Sequence, residues 1–326
     1  MERLKKNFVL ALGLGIAVYL ALAIVSGLDD LKSALADFDY FLIPAILGLV
    51  SLSYAMRYVR WAYYLRLLRV RVPVIKNVAI FTAGLSMAIS PGKFGEVLKS
   101  IFIKDVTGAP VARTAPAVVA ERTTDGTGMI VWGLIGALAF SFGPWLLLFF
   151  LALTALGITV LRSKRLSLLV EKTLLKLPLL KRLAPHVGEF HGASNELLAF
   201  RPLTVGTVIS FCSWGIEILA VYLCAMGVGA GKPFLMVVFI FAVSSLAGAL
   251  SMLPGGIGAA EASLAGMFTS VAGLVGGLAV ALTLVIRLAT LWFATLLGLV
   301  GLLLVRRILG EPLTVVEAQV YTKPKP

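Results

Sequence analysis

The sequence predicts an all-α polytopic membrane protein, an inverted repeat of two units, each carrying a Pro-Gly-broken re-entrant helical segment. Three observations predict it. Apolar residues make up 60% of the 326-residue chain and charged residues 14%, against about 45–50% and about 25% in soluble domains. Several apolar stretches reach the roughly 17 residues that a helix needs to cross about 30 Å of hydrocarbon. The segment "SPGKFGEVLKS" at 90–100 also returns as "LPGGIGAAEAS" at 253–263: Pro-Gly, two residues, Gly, then a Glu.

Taken in order, residues 1–40 give a first span at about 8–26 and a short acidic segment with Asp29, Asp30, Asp37 and Asp39. The apolar run exceeds the roughly 7–15 residues of a signal peptide core and lacks a good cleavage site, so it reads as a retained span. Residues 41–139 form repeat unit 1. A span at about 41–60 continues toward Arg69 and ends among Arg57, Arg60, Arg66, Arg69, Arg71 and Lys76. The next apolar run, before Pro91, is short for a span and suits a re-entrant segment. A span at about 112–139 closes the unit.

Residues 140–202 connect the units through a span at 144–161 and a basic, leucine-rich stretch. Two readings fit that stretch: helices lying on the inner leaflet and drawn to anionic headgroups, or an ordinary cytoplasmic loop. Residues 203–305 form repeat unit 2, with spans or half-spans at about 203–228, 233–253, 257–272 and 275–305. A polar tail, 306–326, ends the sequence.

The Lys and Arg distribution sets the orientation. With the N-terminus inside and both Pro-Gly segments re-entrant, 25 of the 29 basic residues fall on the inner side and only Lys32 and Lys232 outside. Both termini are expected in the cytoplasm of a multi-pass cell-membrane protein. Unit 1 then starts outside and unit 2 inside, with the span at 144–161 performing the inversion. The same distribution accounts for the net charge of +13 without nucleic acid, for which no basic–aromatic face or motif is present. Cys212 and Cys224, twelve residues apart on one predicted helix, lie about 18 Å apart, too far for a disulfide. His186 and His191 do not share a helix face. No metal or cofactor is expected.

The candidate site is read from charges at membrane depth. Glu96, Lys99, Glu121, Arg122, Asp125, Glu217, Glu261 and Arg287 lie in or beside apolar stretches. Each costs about 2.5–3.5 kcal/mol at the centre of a span, so they must pair or face water. Glu96 and Lys99, and Arg122 and Asp125, are i,i+3 pairs of opposite sign. Glu121 and Asp125 are an i,i+4 pair of like sign and call for an outside cation, with Arg287 or Arg57 as candidates. Glu217 reads equally as a site residue or as a lone hydrogen-bonded carboxyl between helices. The glycines of the two breaks, Gly92, Gly95, Gly255, Gly256 and Gly258, would expose backbone amides at the start of a half-helix, where anions bind. Arg57, Arg60, Lys93, Arg122 and Arg287 would hold a phosphate. The carboxylates would serve a cationic headgroup or balance the arginines. The bland alternative makes these charges staples between the units.

The ordered motifs "PGKFGEVLKS", "VVAERTTDGTGM" and "LPGGIGAAEAS" resemble the lysylphosphatidylglycerol synthase transmembrane region family, the flippase-like integral membrane proteins, over roughly 8–305. The resemblance implies a helical protein that moves, or helps move, a modified lipid between leaflets. The best-known members continue into a soluble aminoacyl-transferase domain. No such domain follows "RRILGEPLTVVEAQVYTKPKP", so this chain is expected not to make the lipid, and its cargo need not be lysylated.

The expected function is therefore that of a lipid translocase, flippase or scramblase, not an enzyme, for a phospholipid or other phosphate-bearing lipid. Its expected partners are that lipid, anionic inner-leaflet lipids and a separate lipid-modifying enzyme. The sequence does not specify its oligomeric state. Two other classes compete: an integral membrane transferase on lipid-linked aminoacyl or sugar substrates, with Glu121 or Asp125 as general base, and an accessory subunit of such an enzyme. No Walker-type G-x-x-x-x-G-K-[ST] loop is present, so movement would be downhill or ion-driven.

Overall fold

The computed structural model describes residues 13, 15–24, 27–90, 95–138, 140, 143–176 and 184–309. All regular structure among them is helical. The helices are α1 (Gly15–Ile24), α2 (Leu28–Ala36), α3 (Ile43–Leu67), α4 (Val74–Leu85), α5 (Leu98–Thr107), α6 (Val111–Ala137) and α7 (Gly143–Arg162). They continue as α8 (Lys164–Lys176), α9 (Ala184–Leu197), α10 (Phe200–Gly227), α11 (Phe234–Leu250), α12 (Ala259–Ser270), α13 (Gly276–Arg287) and α14 (Phe293–Leu309). Short 3-10 turns follow α4 at Ser86–Ile89 and precede α12 at Pro254–Gly256, and a π turn at Leu288–Trp292 joins α13 to α14.

Three stretches among the described residues, Tyr40–Leu67, Phe200–Gly227 and Gly276–Ile308, are long and apolar enough to cross a bilayer. Helix α6 has 27 residues, about 40 Å at 1.5 Å per residue, and carries Arg113, Glu121, Arg122 and Asp125. The core is mostly apolar, as in a soluble protein, but large apolar side chains are also exposed and several charges are buried. Phe41, Trp145 and Phe200, at the starts of helices, are 95%, 77% and 84% exposed, while Arg60, Glu121 and Glu261 are buried. Exposed aromatics at helix ends suit the two membrane–water interfaces.

Local chemistry explains the helix ends. Pro73, Pro110 and Pro233 stand in extended conformation just before α4, α6 and α11, where the missing amide hydrogen costs nothing. Helix α3 ends in a Schellman motif: the amide of Val70 donates to the Leu65 carbonyl and that of Arg69 to Arg66. Helix α10 ends identically. Ala230 donates to Ala225 and Gly229 to Met226. The left-handed residue is Gly229 (φ 68) in the second corner and Arg69 (φ 58) in the first.

The order of elements after each corner also matches. A helix runs to a Pro-Gly break, a half-helix of 10 (α5) or 12 residues (α12) follows, and a long helical stretch ends the series. Helix α3 packs along α10, α4 along α14, and α11 along α6. Bare glycine faces permit the last two contacts. A Cβ on Gly301 or Gly298 would strike the backbone of Ala83 on α4 or of Ser86 just after it, and one on Gly136 would strike the backbone of Phe239 on α11. Small residues let membrane helices approach in this way. Ile89 and Ile257, which flank the two breaks, share one apolar cluster with Leu291.

The stretch 162–202, read as either interfacial helices or a loop, contains α8 and α9. Helix α9 packs on α6 and buries Ala193, Ser194 and Leu197, so this part is docked structure. Helix α8 leaves Leu168, Leu169 and Val170 exposed.

Candidate functional site

Elements from both ends of the chain converge on a cavity of about 310 Å³ in the middle of the bundle. Helix α3 contributes Arg57 and Arg60, one turn apart. Helix α6 contributes Glu121, Arg122 and Asp125, whose i,i+3 and i,i+4 spacing turns all three toward the same region. Helix α5 and the turn before it supply Lys99 and Glu96. Glu217 comes from α10 and Arg287 from the end of α13, while Gly255 and Gly256 of the second break also line the wall.

Among the described residues, five cations meet five carboxylates, and each finds a partner. Arg57 Nη2 lies 2.5 Å from Glu217 Oε2, and Arg60 Nη1 lies 2.6 Å from Asp125 Oδ1. Lys99 Nζ lies 2.5 Å from Glu121 Oε2, Arg122 Nη2 3.2 Å from Glu96 Oε2, and Arg287 Nε 2.6 Å from Glu261 Oε1. Further contacts knit neighbouring pairs together: Arg122 to Asp125 Oδ2 at 3.1 Å, and, at longer range, Lys99 to Glu96 and Arg60 to Glu121 at 3.9 Å. The chemistry is that of buried charge: neither sign survives in hydrocarbon unless paired and hydrogen-bonded.

Polar and aromatic neighbours hold the charges in place. Ser53 and Ser210 donate to Glu217 and Asp125. The Arg57 guanidinium stacks 4.1 Å over the Trp214 ring, and Lys99 Nζ sits 4.3 Å from the Trp61 ring centroid; both geometries are cation–π contacts. Gly84 leaves room for the Lys99 stem, which a Cβ there would meet at 2.7 Å. Tyr54 donates across the cavity wall to the carbonyl of Thr290 in the π turn.

The structure corrects two expectations. The cation for the like-signed Glu121 and Asp125 is Arg60, which contacts both, with Lys99 also on Glu121; neither Arg57 nor Arg287 fills that role. Helix α3 lies directly against α6, and Arg60, one turn beyond Arg57, is the residue that faces it. The start of α12 is also already engaged by a carboxylate of its own. The Gly258 amide donates to Glu261 Oε2 at 2.7 Å, so the chain's own carboxylate caps its half-helix. Glu261 in turn takes Arg287, whose Nη2 also donates to the Gly255 carbonyl.

Glu217, read two ways from sequence, is both paired with Arg57 and part of the cavity wall. Gly95 lies beside the wall, its amide donating to Ser90 Oγ. Gly92 and Lys93 lie outside the described residues. The sequence reading missed Trp214, Tyr54, Ser53 and Ser210. The last had a signal: Ser210, Trp214 and Glu217 recur at helical spacing on one face of α10. Arg113, well outside the cavity, pairs with Glu196 on α9 at 3.1 Å.

Matched positions recur within the site. Glu96 is ion-paired with Arg122 and Glu261 with Arg287, at one and the same interval along the chain. Arg57 and Glu217, which bond to each other, are separated by the same interval as the two Schellman corners.

Comparison with known proteins gives one consistent result. Residues 10–298 match the family described as the lysylphosphatidylglycerol synthase TM region. A UPF0104 membrane protein of Methanothermobacter thermautotrophicus is 30% identical over 320 residues, covering 91% of this chain and 93% of that protein. A UPF0104 membrane protein of Pyrococcus horikoshii is 26% identical over 325 residues, covering 91% and 96%. No solved structure matches. With nearly its whole length aligned, and with the three motifs that carry the resemblance inside the aligned region, this chain belongs to the lysylphosphatidylglycerol synthase transmembrane region family.

Proposed function

We propose that the protein is a lipid translocase, a transporter and not an enzyme, which moves a phosphate-bearing lipid between leaflets of the cell membrane. The observation that carries this reading is the charge-lined cavity inside a bundle whose outer surface is apolar. A phospholipid headgroup crossing bare hydrocarbon would leave its charge and hydrogen-bonding groups unpaired. A path lined by exchangeable ion pairs lowers that barrier.

In this reading residues 41–139 and 203–305 are two inverted units with Pro-Gly re-entrant segments. The repeated Schellman corner, the repeated Glu–Arg pair and the reciprocal packing of α4 on α14 and of α11 on α6 all support it. Equivalent residues of a two-fold arrangement meet at the axis, as Arg57 and Glu217 do. Inverted repeats with interrupted segments at matched positions are a transporter plan with the site at mid-membrane. The Lys and Arg distribution favours both termini in the cytoplasm, an orientation that would set the basic corner of α3 and α4 against anionic inner-leaflet lipids. A separate lipid-modifying enzyme would supply or consume the cargo.

The test is purified protein in vesicles carrying acyl-chain-labelled fluorescent phospholipids, with a membrane-impermeant reductant added outside. Protein-free vesicles lose about half of the signal, since only outer-leaflet label is reached. Vesicles with protein should lose nearly all of it within minutes. Identical loss in both, across several lipid classes, contradicts the reading.

A further inference from the structure

The cavity's electrical balance carries information about its cargo. Among the described residues the charges of the cluster sum to zero, because Arg57, Arg60, Lys99, Arg122 and Arg287 match Glu217, Asp125, Glu121, Glu96 and Glu261 one to one. Glu261 does not line the wall itself but holds Arg287, which does. Hydrogen bonding is not balanced in the same way. Arg57 Nε, Arg60 Nε and Nη2, Arg122 Nε and Trp214 Nε1 are buried donors with no hydrogen-bond partner among the described residues, against one such acceptor in the cavity, Asp125 Oδ2, which keeps an ion contact with Arg122 Nη2 at 3.1 Å. Arg60 is fully buried. All of these residues line the cavity. Among the described residues the site therefore has N–H groups to spare but no net positive charge to spare.

Buried donors left unpaired are costly, so the occupant should be rich in acceptors. An occupant with a lone negative charge would leave the interior charged, which low-dielectric surroundings penalise. An uncharged sugar headgroup offers acceptors but cannot replace either member of an ion pair. A headgroup with one phosphate and one primary ammonium can do both. The phosphate takes guanidinium N–H groups, for which planar arginine forks are well suited, and the ammonium takes the carboxylate released. On the translocase reading, we infer that the cavity selects zwitterionic phospholipids whose headgroup pairs a phosphate with a primary ammonium, and carries them with no net charge.

The experiment compares three acyl-labelled lipids in the same vesicle assay: phosphatidylethanolamine, phosphatidylglycerol and monoglucosyl diacylglycerol. Wild-type protein should move the first at least tenfold faster than either of the others. Glu217→Gln leaves the cavity one charge positive and should shift the ethanolamine-to-glycerol ratio at least fivefold toward the anionic lipid. Arg57→Gln should shift it the opposite way, and the double variant, neutral again, should return to the wild-type ratio.

Equal or faster movement of the anionic or the sugar lipid by wild type overturns the inference, as do unmoved ratios in both single variants. Should the single variants fail to fold, the wild-type comparison decides alone. A second readout separates the two claims: binding of short-chain versions of the same lipids to detergent-solubilised protein, followed by Trp214 fluorescence with Trp214→Phe as blank. Preferential ethanolamine-lipid binding without transport keeps the selectivity and removes the translocase. Preferential glycerol-lipid binding removes the selectivity whatever is transported.

Discussion

At the residue scale, the site is a set of paired buried charges, and its members differ in what they hold. Arg60 is fully buried and contacts Asp125, Glu121 and Thr124 at once. Arg60→Ala would leave two carboxylates facing each other without that guanidinium. Removing one partner of a buried pair costs about 3–5 kcal/mol, so a large fall in thermal midpoint in detergent is expected. Arg113 pairs with Glu196 at the periphery, where both side chains stay partly exposed. Arg113→Ala should cost about 0–1 kcal/mol. Comparable losses for the two would show that the cavity pairs are not special.

The sequence made i,i+3 and i,i+4 partners legible, and so it exposed Arg122 with Asp125 and Glu96 with Lys99. It could not reveal Arg60 with Asp125 or Arg57 with Glu217, partners that stand on helices far apart in the chain. Those contacts depend on how whole helices cross.

At the scale of elements, breaks and close approaches decide the geometry. Gly255 sits at φ 62 beside Pro254, and its carbonyl receives Arg287. A side chain in that left-handed region costs about 1–2 kcal/mol, so Gly255→Ala should lower stability by that amount and loosen the Arg287 anchor together. Helix α14 touches α4 through Gly301, where a Cβ would strike backbone, whereas Gly157 on α7 has nothing within 4 Å. Gly301→Ala should destabilise the protein measurably and Gly157→Ala should not, as read by thermal unfolding of the purified variants.

The Pro-Gly breaks were plain in the sequence because proline and glycine announce themselves. The π turn after Arg287 was not, because "LATLW" has helix-compatible composition and its Thr290 carbonyl meets its partner, Tyr54, only across the folded bundle. Helix α9 was likewise obscured by its basic, leucine-rich surroundings, although its small residues Ala193 and Ser194 mark the face that meets α6.

At the scale of the whole molecule, the translocase proposal requires two units of opposite orientation that share one neutral, ion-paired cavity. Composition and motif order made the membrane class legible and suggested the two-unit plan. The pairing of α4 with α14 and of α11 with α6 was not legible, since it depends on how distant helices cross in the folded bundle. The most direct measurement uses Arg71 and Gly231, which occupy equivalent positions in the matched corners after α3 and α10. Single cysteines are placed at each in a variant lacking Cys212 and Cys224, and intact cells are treated with a membrane-impermeant thiol reagent. Position 231 should label from outside, and position 71 only after the membrane is opened. Labelling of both from the same side would contradict the inverted arrangement and the mid-membrane path built on it.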